Sequence, residues 1–424
     1  MEAWTNRVHH SRTDVSPYSR SLESKMTRSF NGLGFALAAT LVLVGCSSTT
    51  EGSGADGGPG APNRPGDQRS DGGASSGELP FSPANVPADA PLSATGEWLL
   101  NTDTCGGTKV TIDTANGTVS CKDQPKGAFT FKTINQVDTS QGSLTAGLFV
   151  TRRLVIEPNM VVDVIGNRPL IIVALETASI QGTLRASALV ADAVGGGFDG
   201  SRKESRGGGP GAGQGQLAKA GGGGGGYCGV GGGGSAGGKA YGDARNVPLI
   251  GGSSGGSGFQ ESGGGGGAVQ VVAGTSFELS GTGAISVTGG GGEWLSGGGG
   301  AGGAILLEAP AISLFGTLAA NGGGGAEAGA SNHGANGTAS ADPAKGGAGN
   351  IDRVGSGGEG SAAAMIDGQT GTQPDPTFGQ GGGGGGAGRI RINTKSGAAT
   401  IGATAVISPA LSTPCATQGT SAPR

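Results

Sequence analysis

The sequence predicts an all-β protein of stacked repeats, a parallel β-helix or a β-sandwich close to it, interrupted by long glycine-rich excursions. Three observations carry that expectation. Short runs of alternating apolar residues follow one another with turn signals between them, and no stretch beyond residue 46 shows a convincing helical period. A strand-rich segment recurs along the chain. Between its copies lie glycine runs, and the chain holds 96 Gly among 424 residues while only 34% are hydrophobic. A core sized by length alone would therefore be an overestimate.

Residues 1–25 contain Arg7, His9, His10, Arg12, Arg20 and Lys25 and add nothing that the next segment needs. A start assigned too early would explain them, with Met26 as the first residue. Residues 26–45 have the build of a signal peptide. Arg28 supplies positive charge, and the apolar run from Leu33 to Val44 is too short to span a bilayer but suits an export signal. The run ends in Leu43-Val44-Gly45-Cys46, which resembles the bacterial lipobox. That resemblance implies a diacylglyceryl thioether on Cys46 and an acylated new N-terminus. Ser47 rather than Asp follows, which favours an outer-membrane destination. Residues 46–95 are rich in Gly, Ser, Pro, Asp and Ala and read as a lipidated, disordered tether, because such a segment cannot offset its conformational entropy by burial.

Order is expected from Gly96. In residues 96–194, Lys109–Ile112, Phe129–Phe131, Leu154–Ile156 and Val161–Ile165 read as strands, separated by turn signals such as Asn116-Gly117 and Glu157-Pro158-Asn159. The first repeat copy starts at Pro169. Residues 195–424 form a Gly-rich repeat domain with further copies from Gly267, Gly303 and Gly388. A constant offset matches Ile171, Val173, Leu175, Ile180 and Leu184 with Ile305, Leu307, Ala309, Leu314 and Leu318. Each copy reads as two short strands joined by a turn. Neither strand could bury its apolar face alone, so copies must stack. On this reading Leu307 faces the core, and Leu306 faces the opposite side and tolerates charge better.

Glycine runs lie at 221–226, 231–234, 263–267, 289–292, 297–300, 322–325 and 381–386. Two outcomes compete: flexible coil, and polyproline-II-like helices packed side by side through backbone hydrogen bonds. Ordered bundles are the favoured reading, since each excursion begins and ends at a fixed strand.

Beyond Cys46, the cysteines Cys105, Cys121, Cys228 and Cys415 make an even count, compatible with two disulfides in an oxidising compartment. Cys105 with Cys121 is the local pairing and Cys228 with Cys415 the long-range one; four free thiols are the alternative. A formal net charge of −4 without clustered Lys or Arg gives no footprint for nucleic acid.

The lipobox, Tyr227-Cys228-Gly-Val-Gly-Gly, the Gly302–Pro310 stretch and the Gly384–Thr394 stretch together resemble the glycine-rich lipoproteins common in myxobacteria, over nearly all of the chain after Cys46. The resemblance implies an envelope location and implies no activity.

Catalytic motifs carry little weight here. Gly251-Gly252-Ser253-Ser254-Gly255 satisfies G-x-S-x-G, a pattern that low complexity produces by chance, and the only His after Cys46 is His333. Gly233–Lys239 nears a phosphate-binding loop, but Ala240 stands where Ser or Thr would hold magnesium. No close Cys/His set suggests a metal site, and no cofactor is expected. Glu176, Glu278 and Glu308 do not coincide in the repeat alignment, so each reads as an outward, solvated residue rather than half of the carboxylate pair that a polysaccharide lyase or hydrolase needs. Trp98, Trp294, Tyr227, Tyr241 and Phe259 are too scattered to show an aromatic row. The expected function is a non-enzymatic, lipid-anchored envelope protein with a structural, adhesive or display role toward matrix, surface proteins or polysaccharide. A polysaccharide-binding module is second and a β-helix lyase or hydrolase third.

Overall fold

The computed structural model describes residues 78–424 except 125, 137–143, 216–219, 234–235 and 330. Cys46, the export signal, the 1–25 prefix and most of the tether lie outside the described residues. Order starts earlier than expected: residues 78–95 belong to the folded body, with Leu79, Phe81 and Asn85 buried.

The body is a parallel β-helix. Strand β1 (Phe81–Ser82) precedes β2 (Glu97–Leu100), a one-turn helix α1 (Thr102–Cys105), β3 (Lys109–Asp113), β4 (Thr118–Val119) and β5 (Thr130–Asn135). Successive coils then contribute three strands each. They are β6 (Thr145–Thr151), β7 (Arg153–Ile156) and β8 (Val161–Ile165); β9 (Leu170–Ala174), β10 (Thr177–Ile180) and β11 (Thr183–Arg185). Next come β12 (Ala268–Ala273), β13 (Ser276–Leu279) and β14 (Ala284–Ser286), then β15 (Ala304–Glu308), β16 (Ala311–Leu314) and β17 (Thr317–Ala319). The last coil is β18 (Arg389–Thr394), β19 (Thr400–Ile401) and β20 (Val406–Ser408), followed by β21 (Ala416–Thr420) and β22 (Ala422–Pro423). Sheet 1 runs β2-β7-β10-β13-β16-β19, sheet 2 runs β4-β3-β8-β11-β14-β17-β20, and sheet 3 runs β5-β6-β9-β12-β15-β18-β21.

Each repeat copy therefore holds three strands, not two. Its third strand (Thr317–Ala319 in one copy) is too short for periodicity to separate from the turn before it. One register also differs from the sequence alignment. Leu170 pairs through Val269 with Ile305, and Ile172 through Val271 with Leu307, one residue away from the expected partners. Val173 pairs through Val272 with Glu308, and Thr177 lies four residues beyond Val173 but Ala311 only three beyond Glu308, so Thr177 still stacks through Ser276 onto Ala311 and the alignment recovers. A one-residue slip exchanges the two faces of a strand. The inward set is thus Leu170, Ile172 and Ala174, stacked with Ile305, Leu307 and Ala309. The expected boundary at 194/195 is no domain boundary either, since β12 continues directly on β9.

The central strands of sheet 3, β6, β9, β12 and β15, are buried on both faces. Leu148, Ile171, Val173, Val272 and Leu306 form a second apolar cluster outside the helix, covered by Leu79, Phe81, Tyr227, Leu249 and Ile250. Leu306 is as fully enclosed as Leu307, contrary to the expectation that it faces a more tolerant side. A strap of residues 79–94 crosses this face and is closed by antiparallel pairing of β1 with β22. At the first coil, Trp98 stacks on Phe149, with Phe129 and Phe131 completing an aromatic plug over the open end of the core.

All three glycine-rich excursions leave after a sheet 2 strand and return to a sheet 3 strand: β11 to β12, β14 to β15 and β17 to β18. They emerge from one corner of neighbouring coils, which stand about 4.8 Å apart. That shared exit sets the runs side by side. Their hydrogen bonds advance in steps of three residues. Gly222 and Gly225 donate to the carbonyls of Ser296 and Gly299, while Gly223 and Gly226 donate to those of Gln214 and Gly211. Gly383 and Gly386 donate to Gly222 and Gly225, and Gly299 and Gly302 to Gly383 and Gly386. A three-residue turn bonded to several neighbours is the pattern of polyglycine-II, in which missing side chains let backbones close on one another. A Cβ on Gly224 would come within 1.9 Å of the Gly384 carbonyl oxygen, and at Gly221 within 2.1 Å of the Gly381 oxygen. The ordered bundle is the outcome, not coil.

Candidate functional site: the distal tip of the glycine bundle

The bundle has a root against sheet 3 and a tip at its far end. Both expected disulfides are present. Cys105–Cys121 closes the first coil, and Cys228–Cys415 ties the root to the turn before β21, with Cα atoms 5.6 Å apart. Beside it, Tyr227 and Tyr241 pack with ring centroids 4.7 Å apart, and the Arg389 guanidinium lies 5.6 Å from the Tyr227 ring and donates to the Tyr241 carbonyl. Burial pushes both phenols up from their ordinary range. The Tyr241 hydroxyl donates to the Gly251 carbonyl at 2.6 Å. These aromatics wedge the root in place and offer no platform to a ligand.

The G-x-S-x-G serines are likewise structural. Ser253 and Ser254 are fully buried, and their hydroxyls accept from the amides of Gly211 and Gly208. In the phosphate-loop-like stretch, the Gly238 amide donates to Gly224 and so is already used within the bundle. Glu176 pairs with Arg152 and Arg153, and the Arg153 hydrogen bond holds its carboxyl below the usual range. Glu278 is exposed on sheet 1. The three repeat carboxyls do not converge. Among the described residues no group of three or more His, Cys, Asp or Glu could hold a metal ion.

Glu308 departs from expectation. It projects outward from sheet 3, yet the strap covers it, leaving it 1% exposed. Its carboxyl accepts from the Ala84 amide at 3.0 Å, Gln270 Nε2 at 2.7 Å and Asn393 Nδ2 at 3.1 Å. Gln270 also donates to the Ala84 carbonyl, and Asn85 reaches Gln270 and the Asn246 carbonyl. Burial raises the Glu308 pKa, and the three hydrogen bonds and nearby Arg391 only partly offset it. This polar cluster seats the strap.

At the tip, turns widely separated in sequence meet. Glu204 donates to the Gly258 carbonyl, Phe259 to Leu295, Glu293 to Glu261, Leu295 to Gly329, Ser296 to Glu327, and Ala328 to Gly355. Phe259 is 51% and Trp294 42% exposed, and Ile351 also faces solvent. The two aromatic residues judged scattered from sequence, Phe259 and Trp294, thus sit on adjoining turns, whereas Trp98 and Tyr227 are core. The turns are held in costly backbone conformations. Lys203, Glu204, Leu295 and Ser296 all have positive φ, each a cost of about 1–3 kcal/mol for a non-glycine residue. Glu327 is fully buried, and its carboxyl accepts the amides of Ser331, Asn332 and Asn350, which fixes the turn carrying His333. The His333 ring packs on Trp294 with centroids 5.0 Å apart at 59°, and its Nε2 meets the indole N–H.

No family model, curated protein or solved structure matches the chain. The tip geometry therefore carries the functional argument alone. It presents two exposed rings, one in contact with an imidazole, on hydrogen-bonded turns within the excursions. No helix among the described residues is long and apolar enough to cross a membrane.

Proposed function

We propose that this chain is an exported envelope lipoprotein, anchored through Cys46, whose β-helix is a mount and whose polyglycine bundle displays a structural or adhesive tip. The observation that carries this reading is the bundle itself. Three excursions from one corner contribute glycine runs whose backbones hydrogen-bond to one another, and carry turns with exposed rings. A rigid arm made of backbone has one evident use, which is to hold its end in a fixed place. Strained turns at that end fit the same purpose, since strain persists where a surface is being presented. The resemblance to glycine-rich myxobacterial lipoproteins and the lipobox support the envelope location.

Removal of the gene from the cells that make the protein should reduce attachment to surfaces or to other cells. Wild-type protein should restore it, and a chain with Gly223→Val and Gly384→Val, its bundle broken, should not. Equal attachment by the deleted and restored strains would contradict the adhesive reading.

A further inference from the structure

We infer that the bundle tip is a carbohydrate-binding platform on which the Trp294 indole, flanked by Phe259 and His333, stacks against the C–H face of a neutral polysaccharide. The inference rests on the display reading above and gives the displayed surface a ligand class.

Trp294 and Phe259 keep about half of their surface in solvent although the bundle beside them excludes it, so they are not unfinished core. Their turns are linked through the Phe259 amide and the Leu295 carbonyl, which brings the two exposed residues onto adjoining turns. Contact between Trp294 and His333 fixes the indole from one side and leaves its remaining surface open. An amphipathic ring held in one orientation loses little entropy on binding.

The surroundings select the ligand. Gln260 is exposed beside Phe259 and Glu293 adjoins Trp294, whereas the Asn332 amide is used inside the turn, donating to the Ala348 carbonyl. Arg202 pairs with Glu261 rather than offering a free cation. A pyranose has one apolar face for stacking and a rim of hydroxyls for amide, imidazole and carboxyl partners, which is the division seen here. A protein partner would call for a contiguous apolar centre shielded by a rim. Two separated rings among polar turns do not provide one. A bilayer surface would favour a cationic tip, and here Glu204, Glu261 and Glu293 stand among the bases.

The test uses the purified full chain titrated with oligosaccharides of cellulose, laminarin, xylan and chitin, read by calorimetry and by tryptophan emission. Trp98 is enclosed in the core and Trp4 precedes Cys46, so a shift in emission that Trp294→Ala abolishes reports on Trp294. The expected result is saturable binding of at least one oligosaccharide. That binding should weaken about tenfold or more in Trp294→Ala, in the range of an interface hot spot, and also in Phe259→Ala. Phe315→Ala, an exposed ring on the sheet 1 side of the β-helix, should bind as wild type, and all three variants should keep the wild-type melting temperature. Wild-type protein that binds none of the four, or Trp294→Ala that binds as tightly as wild type, overturns the inference. Oligosaccharide binding that survives while gene removal leaves attachment unchanged would sink the adhesive reading and spare this one. Lost attachment without any oligosaccharide binding would do the reverse.

Discussion

Replacement of Gly223 or Gly384 by valine separates a packed polyglycine bundle from glycine coil. A Cβ at Gly223 would lie 1.8 Å from the Ala236 carbonyl oxygen and 2.3 Å from its carbon; at Gly384 it would lie 1.9 Å from the Glu359 oxygen. Carbon and carbonyl oxygen normally approach no closer than about 3.3 Å, so a neighbouring backbone must retreat by about 1.5 Å. That neighbour is held by hydrogen bonds of its own. The Ala236 carbonyl accepts from the Gln214 amide and the Glu359 carbonyl from the Gln369 amide, and the glycines bond too: Gly223 donates to Gln214 and accepts from Gly256, and Gly384 donates to Gln369 and accepts from Gly232. Overpacking costs about 1–3 kcal/mol and two disturbed hydrogen bonds about 1 kcal/mol each. The lost freedom of the unfolded glycine returns at most about 1 kcal/mol. The net destabilisation is about 2–4 kcal/mol, or a fall in melting temperature of roughly 3–6 °C for a body of this size. Thermal melts by circular dichroism, with disulfides intact, provide the assay. Gly281→Ala is the control, because a Cβ there meets nothing within 4 Å. It should leave melting unchanged or slightly raised. Valine variants that melt with wild type would refute the bundle argument.

Three further outcomes are expected. Leu306→Asp and Leu307→Asp should both be severely destabilising, by several kcal/mol in chemical denaturation, since both sites are fully enclosed and neither offers a partner to the charge; a mild Leu306→Asp would mean that the strap does not cover sheet 3. Burial raises the folded-state pKa of Glu308 above the ordinary carboxyl value of 4.5, so its contribution to stability is present below that value and is lost as pH rises through the folded pKa. Glu308→Gln removes that dependence, and its melting temperature should gain on wild type as pH increases from 4.5 upward; a difference independent of pH would contradict a buried, strap-seating carboxyl. Cys46→Ala should abolish incorporation of a palmitate analogue and leave an unprocessed precursor, and labelling that persists would remove the lipoprotein reading.

Much of the fold was legible because strands alternate visibly and glycine runs announce themselves. The strands around Val110, Leu154 and Val162 lie where period-two spacing puts them, and Ile180, Leu184, Leu314 and Leu318 stack as the repeat alignment requires. The Leu170 register was missed because Leu170, Ile171, Ile172 and Val173 are all apolar, as befits a strand buried on both faces. A continuous apolar run fits either register. The cover over Leu306 and Glu308 could not be read locally. It comes from Leu79, Phe81 and Ala84, more than two hundred residues away, in a segment whose Pro and Gly content resembles linker. The tip was illegible for a related reason. Phe259, Trp294 and His333 are brought together by polyglycine runs, and a glycine carries no side chain to mark which neighbour it will bond. Corner geometry, not pattern, decides that pairing. One clue existed in the sequence: Trp294 stands between the runs 289–292 and 297–300, and Phe259 a few residues before the run 263–267, both away from any strand.

The most direct measurement is amide hydrogen exchange of the folded chain, followed by mass spectrometry over peptides covering 221–226, 297–302, 322–326 and 381–386. The bundle hydrogen bonds, such as Gly225 to Gly299 at 2.8 Å and Gly385 to Gly323 at 2.7 Å, predict glycine amides protected to the same order as those of β12 and β15. Exchange of these glycines at the rate of an unstructured peptide, beside protected strands, would contradict the account.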